Sequence, residues 1–493
     1  MTSDLSTRVA RLNDVLCSVN ALQWDARVMM PRGGAETRGH QLATLKGIAR
    51  EMILDPAMEA AAEAALGTGE DAAARAVQAA RRWHAALPAE LLRRQAEQSA
   101  LAGAVWAEAR ASGDFALFKP YLQTMLDLAR QVAQASGFGA HPYDAMVHAF
   151  EPGEAAASLA ALFDRLRAAQ KPILDSALGK PRPRTEFLYR DYPVAQQQAF
   201  CRALVAELGY EFAHGRLDTA VHPFEISMTR GDVRITSRWR PDYLPMSIFG
   251  SIHETGHALY EMGVDPSFTR SAMTTDMIGL YAVGGTSFGM HESQSRLLEN
   301  HVGRAPEFWQ RHFDTLRDHF PEQLSDVSAE EFVAAVNRVE PGLIRVEADE
   351  LSYDFHIMLR VRLEMALMEG SLDPADLPDA WNAAMREDLG VEVPHDGLGC
   401  LQDVHWSSGY IGSFPTYTIG NVTAAQIIEH YRNHRPEIAA GLGRGETGPL
   451  REALKADVWR HGRSRSRAEI LDGLGQTASD PAAYIGYLRR KFT

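Results

Sequence analysis

Apolar residues recur at three- and four-residue spacing through the first two hundred positions, as in "AAASLAALFDRLRAAQKPIL" at 155–174. A stripe of that period lays one face of an α-helix against a core, so this part of the chain is predicted to be helical. The pattern breaks at "MMPRGGAE", "LGTGED", "SGFGAHPYD" and "GKPRPRTEF", where Gly and Pro interrupt helices. Between positions 219 and 240 the period becomes two. Phe224, Ile226 and Met228 alternate with polar residues, "TRGD" supplies a turn, and Val233 and Ile235 alternate again, which predicts a β-hairpin. A helix follows, with Ser247 as its predicted cap and its end at Gly263, ahead of Pro266. Helical spacing then resumes, apart from a loop rich in Gly and aromatic residues, "VPHDGLGCLQDVHWSSGYIGSFPTY". Without internal repeats or low-complexity linkers, residues 1–493 read as one domain of two packed lobes. The first, 1–215, is helical; the second, 216–493, holds the hairpin and the remaining helices.

Composition narrows the class. A net charge of −14 lacks the basic footprint that phosphate contacts require, which argues against nucleic acid and against anionic lipid as partners. The start, "MTSDLSTRVARLND", has no basic region followed by an apolar core, and no apolar run reaches membrane-spanning length. Cys17, Cys201 and Cys400 lie far apart and are odd in number, which fits free thiols in a reducing compartment, the cytoplasm.

The chemistry concentrates in "SIHETGHALYE", positions 251–261. On a helix, His253 and His257 at i and i+4 project from one face and can offer two nitrogens to one metal ion, while Glu254 lies about 100° around, within reach of a metal-activated water. This is the HExxH pattern of zincins, which by chance appears in about one chain in twenty of this length and histidine content, so it needs support. A catalytic zinc takes a third protein ligand and keeps a fourth position open. The metzincin ligand is excluded because position 263 is Gly, leaving Asp265, Asp276, Glu292 and Glu299; Glu292, in the helical "GMHESQSRLLEN", is the best placed. Polar residues also gather around His222, Asp232, Arg234 and Thr236, and in "IRVEADELSYDFH", read as a helix with Arg345, Asp349, Ser352 and His356 on one stripe.

"HPF", "DVRIT", "HETGH", "HESQ", "IRVEADE" and "GCLQDVHW", in that order, resemble the carboxypeptidase Taq family of zinc metallocarboxypeptidases. The likeness extends from "LQWDARVMMP" to "AAYIGYLRRKF" and so spans nearly the whole chain. It implies a mainly α, two-lobed, zincin-type fold with a deep central cleft and a small β-sheet beside the HExxH helix. It also implies a homodimer that removes single residues from peptides with a free C-terminus, with broad preference. By motif match, His253, His257 and Glu292 would hold Zn2+, for which Co2+ or Mn2+ could substitute, and Glu254 would be the general base. His405 would stabilise the oxyanion, and Arg345, Tyr410 and Tyr417 would engage the substrate end. Two features depart from the family: the interval from His257 to Glu292 is longer, as if to narrow the cleft or form a lid, and Ser413 replaces a tyrosine, for which Tyr410 could substitute. The competing readings are a zinc oligopeptidase that cuts internally and a helical binding protein without turnover.

Overall fold

The computed structural model describes residues 3–493, which form a mainly helical protein with two small sheets. Its first helix spans Asp4–Val28, and the four predicted breaks all separate helices. Two compact units are assembled from interleaved stretches: one from residues up to His84, Arg182–Asn337 and Thr423–Ala478, the other from Ala85–Pro181, Arg338–Val422 and Ser479–Thr493. Position 215 falls inside the first unit, and the chain passes between units five times. Local periodicity announces each helix but not which helices share a core.

In the first unit the predicted hairpin is present as β2 (Glu225–Thr229) and β3 (Asp232–Ser237), paired antiparallel with a bulge near Thr229. A strand that the alternation did not reveal, β1 (Gly215–Thr219), pairs parallel to β3, giving the order β1-β3-β2. Edge strand β2 is covered by the first helix: Asn20 donates from Nδ2 to the Ser227 carbonyl at 2.7 Å, and Cys17 Sγ donates to the Met228 carbonyl at 2.9 Å. The sheet packs beside the helix that carries the HExxH motif.

That motif helix runs from Leu244 to Gly263. It starts three residues before the predicted cap: Tyr243 is the cap position, Pro245 occupies the first turn where its missing N–H costs nothing, and the Ser247 hydroxyl instead donates back to the Leu244 carbonyl at 3.0 Å. Fifteen of its twenty residues are buried and none is exposed, as for a helix through the middle of a core. Leu244, Ile248, Ile252 and Leu259 join a large apolar cluster with Trp309, Phe313 and Ile427.

The long interval before Glu292 is no lid. It forms a two-stranded sheet, β4 (Thr275–Asp276) with β5 (Tyr281–Ala282), and its Met273, Met277 and Ala282 are buried with Leu12, Leu16 and Val19 of the first helix. Amides of Asn13 and Asn20 donate to the Thr274 and Ala282 carbonyls at 3.1 and 2.7 Å, closing the backbone groups of that segment.

In the second unit, "IRVEADELSYDFH" does not form a single helix. Arg345–Glu347 is one 3-10 turn, and the α-helix begins at Tyr353 and ends at Glu369 before Gly370 in the left-handed conformation. Asp349 accounts for the difference, because its carboxylate accepts from the Leu351 and Ser352 backbone N–H groups and the Ser352 hydroxyl, and so ends the preceding turn. The predicted loop is irregular up to Phe414 apart from one 3-10 turn, Asp396–Leu398, but the next helix begins at Pro415, so Tyr417 lies in a first helical turn. All three cysteines are free thiols, and no helix among the described residues is long and apolar enough to cross a membrane.

Candidate metal centre

The first unit brings His253 and His257 of the motif helix against Glu292 of the helix Phe288–Arg296. Nε2 of His253 and Nε2 of His257 lie 3.6 and 3.4 Å from the same oxygen, Glu292 Oε2. Two ligands each about 2.1 Å from a tetrahedral ion sit roughly 3.4 Å apart, so these three atoms fit one zinc-sized cation. The other Glu292 oxygen, Oε1, receives Arg296 Nε–H at 2.7 Å, while Oε2, which faces the two histidines, receives only a long contact from the Ser295 hydroxyl at 3.3 Å. The side chains of His253, His257 and Glu292 keep 18%, 14% and 9% of their surface exposed, so the three are mostly but not completely buried.

Glu299, considered above as a ligand, faces the other ring nitrogen. Its Oε2 lies 2.9 Å from His253 Nδ1, and its second oxygen receives Arg304 at 2.9 Å. It is carried there by a π-helical turn, Leu297–Gly303, continuing the Glu292 helix. A carboxylate on the distal nitrogen orients a ligand histidine and raises its basicity. Asp265 and Asp276 are occupied elsewhere: each accepts backbone N–H groups of its own turn, from Ser267 and from Ile278 and Gly279.

The electrostatics follow from burial among opposed charges. Burial disfavours charge on Glu292, yet Arg296, His253 and His257 outweigh it and hold the carboxyl well below its usual range. For His253, burial opposes protonation, but Glu292 and Glu299 prevail and raise its pKa. His257 is driven by burial to about 3, so its ring is neutral and available as a ligand. Burial pushes Glu254 up to about 7, with His253 pulling it down and Glu292 pushing it up.

Arg345, His405, Tyr410 and Tyr417 belong to the second unit. Arg345 is buried, with Nε and Nη2 donating to Asp403 Oδ1 at 3.0 and 2.8 Å and Nη1 donating to the Tyr353 hydroxyl at 3.1 Å. Arg360 Nε donates to the other oxygen of Asp403 at 2.7 Å. Although burial works against its charge, the two guanidinium groups hold Asp403 ionised, with a pKa well below the carboxylate range. His405 stacks on Phe414 at 4.4 Å, and its Nε2 lies 3.2 Å from the Tyr417 hydroxyl. Burial lowers its pKa to about 4, Asp403 opposing, so the ring is neutral. Arg345 lies over the Tyr417 ring at 5.1 Å, so these three form one cluster. Tyr410 stands half exposed and stacks on Phe150 at 5.9 Å instead. Ser413, at the position of the missing tyrosine, is buried and donates to the Tyr410 carbonyl at 2.7 Å. In the first unit, Arg234 pairs with Asp232 at 2.8 Å and covers the Trp24 ring at 4.5 Å.

Sequence reasoning assigned no part to Glu261, His291, Asp403 or Arg360. Glu261 had a readable signal, since it continues the His253, His257 stripe by one more turn, and His291 precedes Glu292 in the quoted "HESQ".

A helical zincin-type metallopeptidase is the class that this fold and centre define. A family model described as carboxypeptidase Taq (M32) metallopeptidase matches residues 4–492, and the chain belongs to that family of metallocarboxypeptidases. Thermostable carboxypeptidase 1 of Thermus thermophilus is 38% identical over 498 residues, covering 97% of this chain and 95% of its own. Carboxypeptidase 1 of Bacillus subtilis is 32% identical, covering 99% and 97%. The crystal structure of the M32 carboxypeptidase from Deinococcus radiodurans R1 superposes with a TM-score of 0.94 at 36% identity, covering 99% of this chain and 98% of that one.

Proposed function

We propose that this chain is a zinc-dependent carboxypeptidase that removes single C-terminal residues from peptides with broad preference, using Glu254 as general base. The observation that carries this reading is the convergence of His253 Nε2 and His257 Nε2 on Glu292 Oε2, with Glu254 on the same buried helix. When bound there, a divalent cation would supply Lewis acidity, acidifying a water and polarising the scissile carbonyl. Glu254, with a carboxyl raised towards neutrality, accepts the proton of the attacking water and returns it to the departing amine.

His405 is neutral near pH 7 and is assigned to donate to the oxygen that gains negative charge. Arg345 has five N–H groups; three are used on Asp403 and Tyr353, so 5 − 3 = 2 remain, one on each terminal nitrogen, for a substrate carboxylate. Tyr417 shares that cluster, which supports a part at the substrate end, whereas Tyr410 has no such neighbour among its described ring contacts. Cobalt or manganese is proposed as a substitute for zinc. A homodimer and a cytoplasmic location are proposed on the family likeness and the free thiols.

The test is one peptide with a free and an amidated C-terminus. Fast release of the last residue from the free form and little cleavage of the amide is expected. Equal cleavage of both would replace this reading with an internally cutting oligopeptidase.

A further inference from the structure

The two ligand histidines are supported differently. His253 meets the Glu299 carboxylate directly at 2.9 Å, whereas His257 meets another imidazole: its Nδ1 lies 2.6 Å from His291 Nδ1. Nε2 of His291 in turn lies 3.0 Å from Glu261 Oε1. Glu261 is surrounded by donors, receiving the backbone N–H of Gly284 at 2.8 Å, that of Gly285 at 2.8 Å and the Ser227 hydroxyl at 3.0 Å.

One proton arrangement along this series leaves His257 Nε2 free for a metal, and the contacts His257 Nδ1 to His291 Nδ1 and His291 Nε2 to Glu261 accommodate it. An ionised Glu261 only accepts, so His291 must point an N–H at it from Nε2. In the neutral ring that proton on Nε2 is the only one, so Nδ1 of His291 presents a lone pair. The close Nδ1 to Nδ1 approach needs a proton, which must therefore be carried by His257. That leaves Nε2 of His257 as a lone pair, aimed at the same point as His253 Nε2 and Glu292 Oε2. We infer that Glu261 and His291 are positioning residues that hold His257 in the tautomer and ring orientation in which its Nε2 can bind metal.

The surroundings are built for this contact. A Cβ on Gly285 would lie 2.4 Å from His291 Cδ2, so only glycine lets the backbone reach Glu261 past the ring. Glu261 is one turn beyond His257 on the motif helix, and the segment holding Gly284 is fastened by Asn20, which bridges the Ser227 and Ala282 carbonyls. The long interval between His257 and Glu292 thus acquires a role: it supplies the two N–H groups that fix Glu261.

The inference rests on the metal-centre reading, and zinc affinity tests it on the full chain. The zinc dissociation constant is measured by chelator competition for wild type, His291→Ala, His291→Leu and His291→Asn, with the melting temperature of each metal-free protein and the visible spectrum of its cobalt form. Loss of an outer partner of a ligand histidine typically weakens metal binding by about 10–100-fold, and that loss is expected for His291→Ala and for His291→Leu, which fills the volume without an acceptor. His291→Asn should recover most of the affinity and the wild-type cobalt spectrum, because its amide oxygen can accept from His257 where Nδ1 does. An unchanged constant in His291→Ala or His291→Leu, or an Asn variant as weak as the Leu variant, overturns the inference while leaving the metal centre intact. A wild type that binds no zinc removes the centre and this inference together.

Discussion

Gly256 of the motif helix lies backbone to backbone against the helix that bears Glu292: a Cβ there would stand 2.4 Å from the Gln294 carbonyl oxygen and 2.5 Å from Ser295 Cα. The missing side chain sets how closely the helix of His253 and His257 approaches the helix of Glu292. In "HETGH" the glycine is therefore part of the geometry proposed to hold the metal, although it is not one of the proposed ligands.

Gly256→Ala should weaken zinc binding and lower stability. Alanine gains about 1 kcal/mol of helix propensity over glycine, but overpacking costs about 1–3 kcal/mol. The upper range should apply, since the obstructing atoms are backbone and cannot rotate away. Melting temperature and zinc dissociation constant check this, and a more stable variant with unchanged affinity would contradict it.

Asp403→Asn should be among the most damaging changes outside the metal centre. Asp403 is the shared counter-ion of Arg345 and Arg360, both buried, and leaving such a charge uncompensated costs about 3–5 kcal/mol. The sign with pH is fixed by its depressed folded pKa: the contribution is present above the unfolded value near about 4 and is lost as pH falls towards the folded one. The gap in unfolding free energy between wild type and variant should thus be widest near neutrality and narrow below about pH 4, measured by denaturant titration across that range.

Glu364 should produce the opposite slope. It is buried and accepts from Tyr143 at 2.6 Å, the Trp406 indole at 2.9 Å and the Gly412 N–H at 3.1 Å, fastening the loop that carries His405. Burial pushes its pKa to about 7, partly offset by those hydrogen bonds. A raised carboxyl pKa means that the native state holds the proton more tightly than the unfolded chain. Its contribution is full below the unfolded value of about 4.3 and is lost as pH rises through about 7. Wild type should therefore lose stability relative to Glu364→Gln between pH 5 and pH 8; a difference independent of pH would show that Glu364 does not titrate there.

Much of this was legible in the sequence because it is local. The i, i+4 spacing placed two histidines on one face, period-two alternation gave the hairpin, and Gly263 with Pro266 marked where the motif helix ends. What escaped was set by contacts between distant segments. β1 carries little alternation of its own and exists through its pairing with β3; the partners of Asn20 lie more than two hundred residues away. Arg345 was placed in a helix because its polar stripe has helical spacing, whereas an aspartate turn at Asp349 breaks the run. Glu299 had the right residue type for a ligand, but which histidine nitrogen it meets depends on the π-helical turn that carries it.

Glu254 is proposed as the base beside a metal held by His253, His257 and Glu292. The most direct test of this assignment is the turnover number of Glu254→Gln at verified full zinc occupancy. A fall of about 10²–10⁴-fold with one zinc per chain retained is predicted. Turnover near wild type with zinc in place would contradict the assignment.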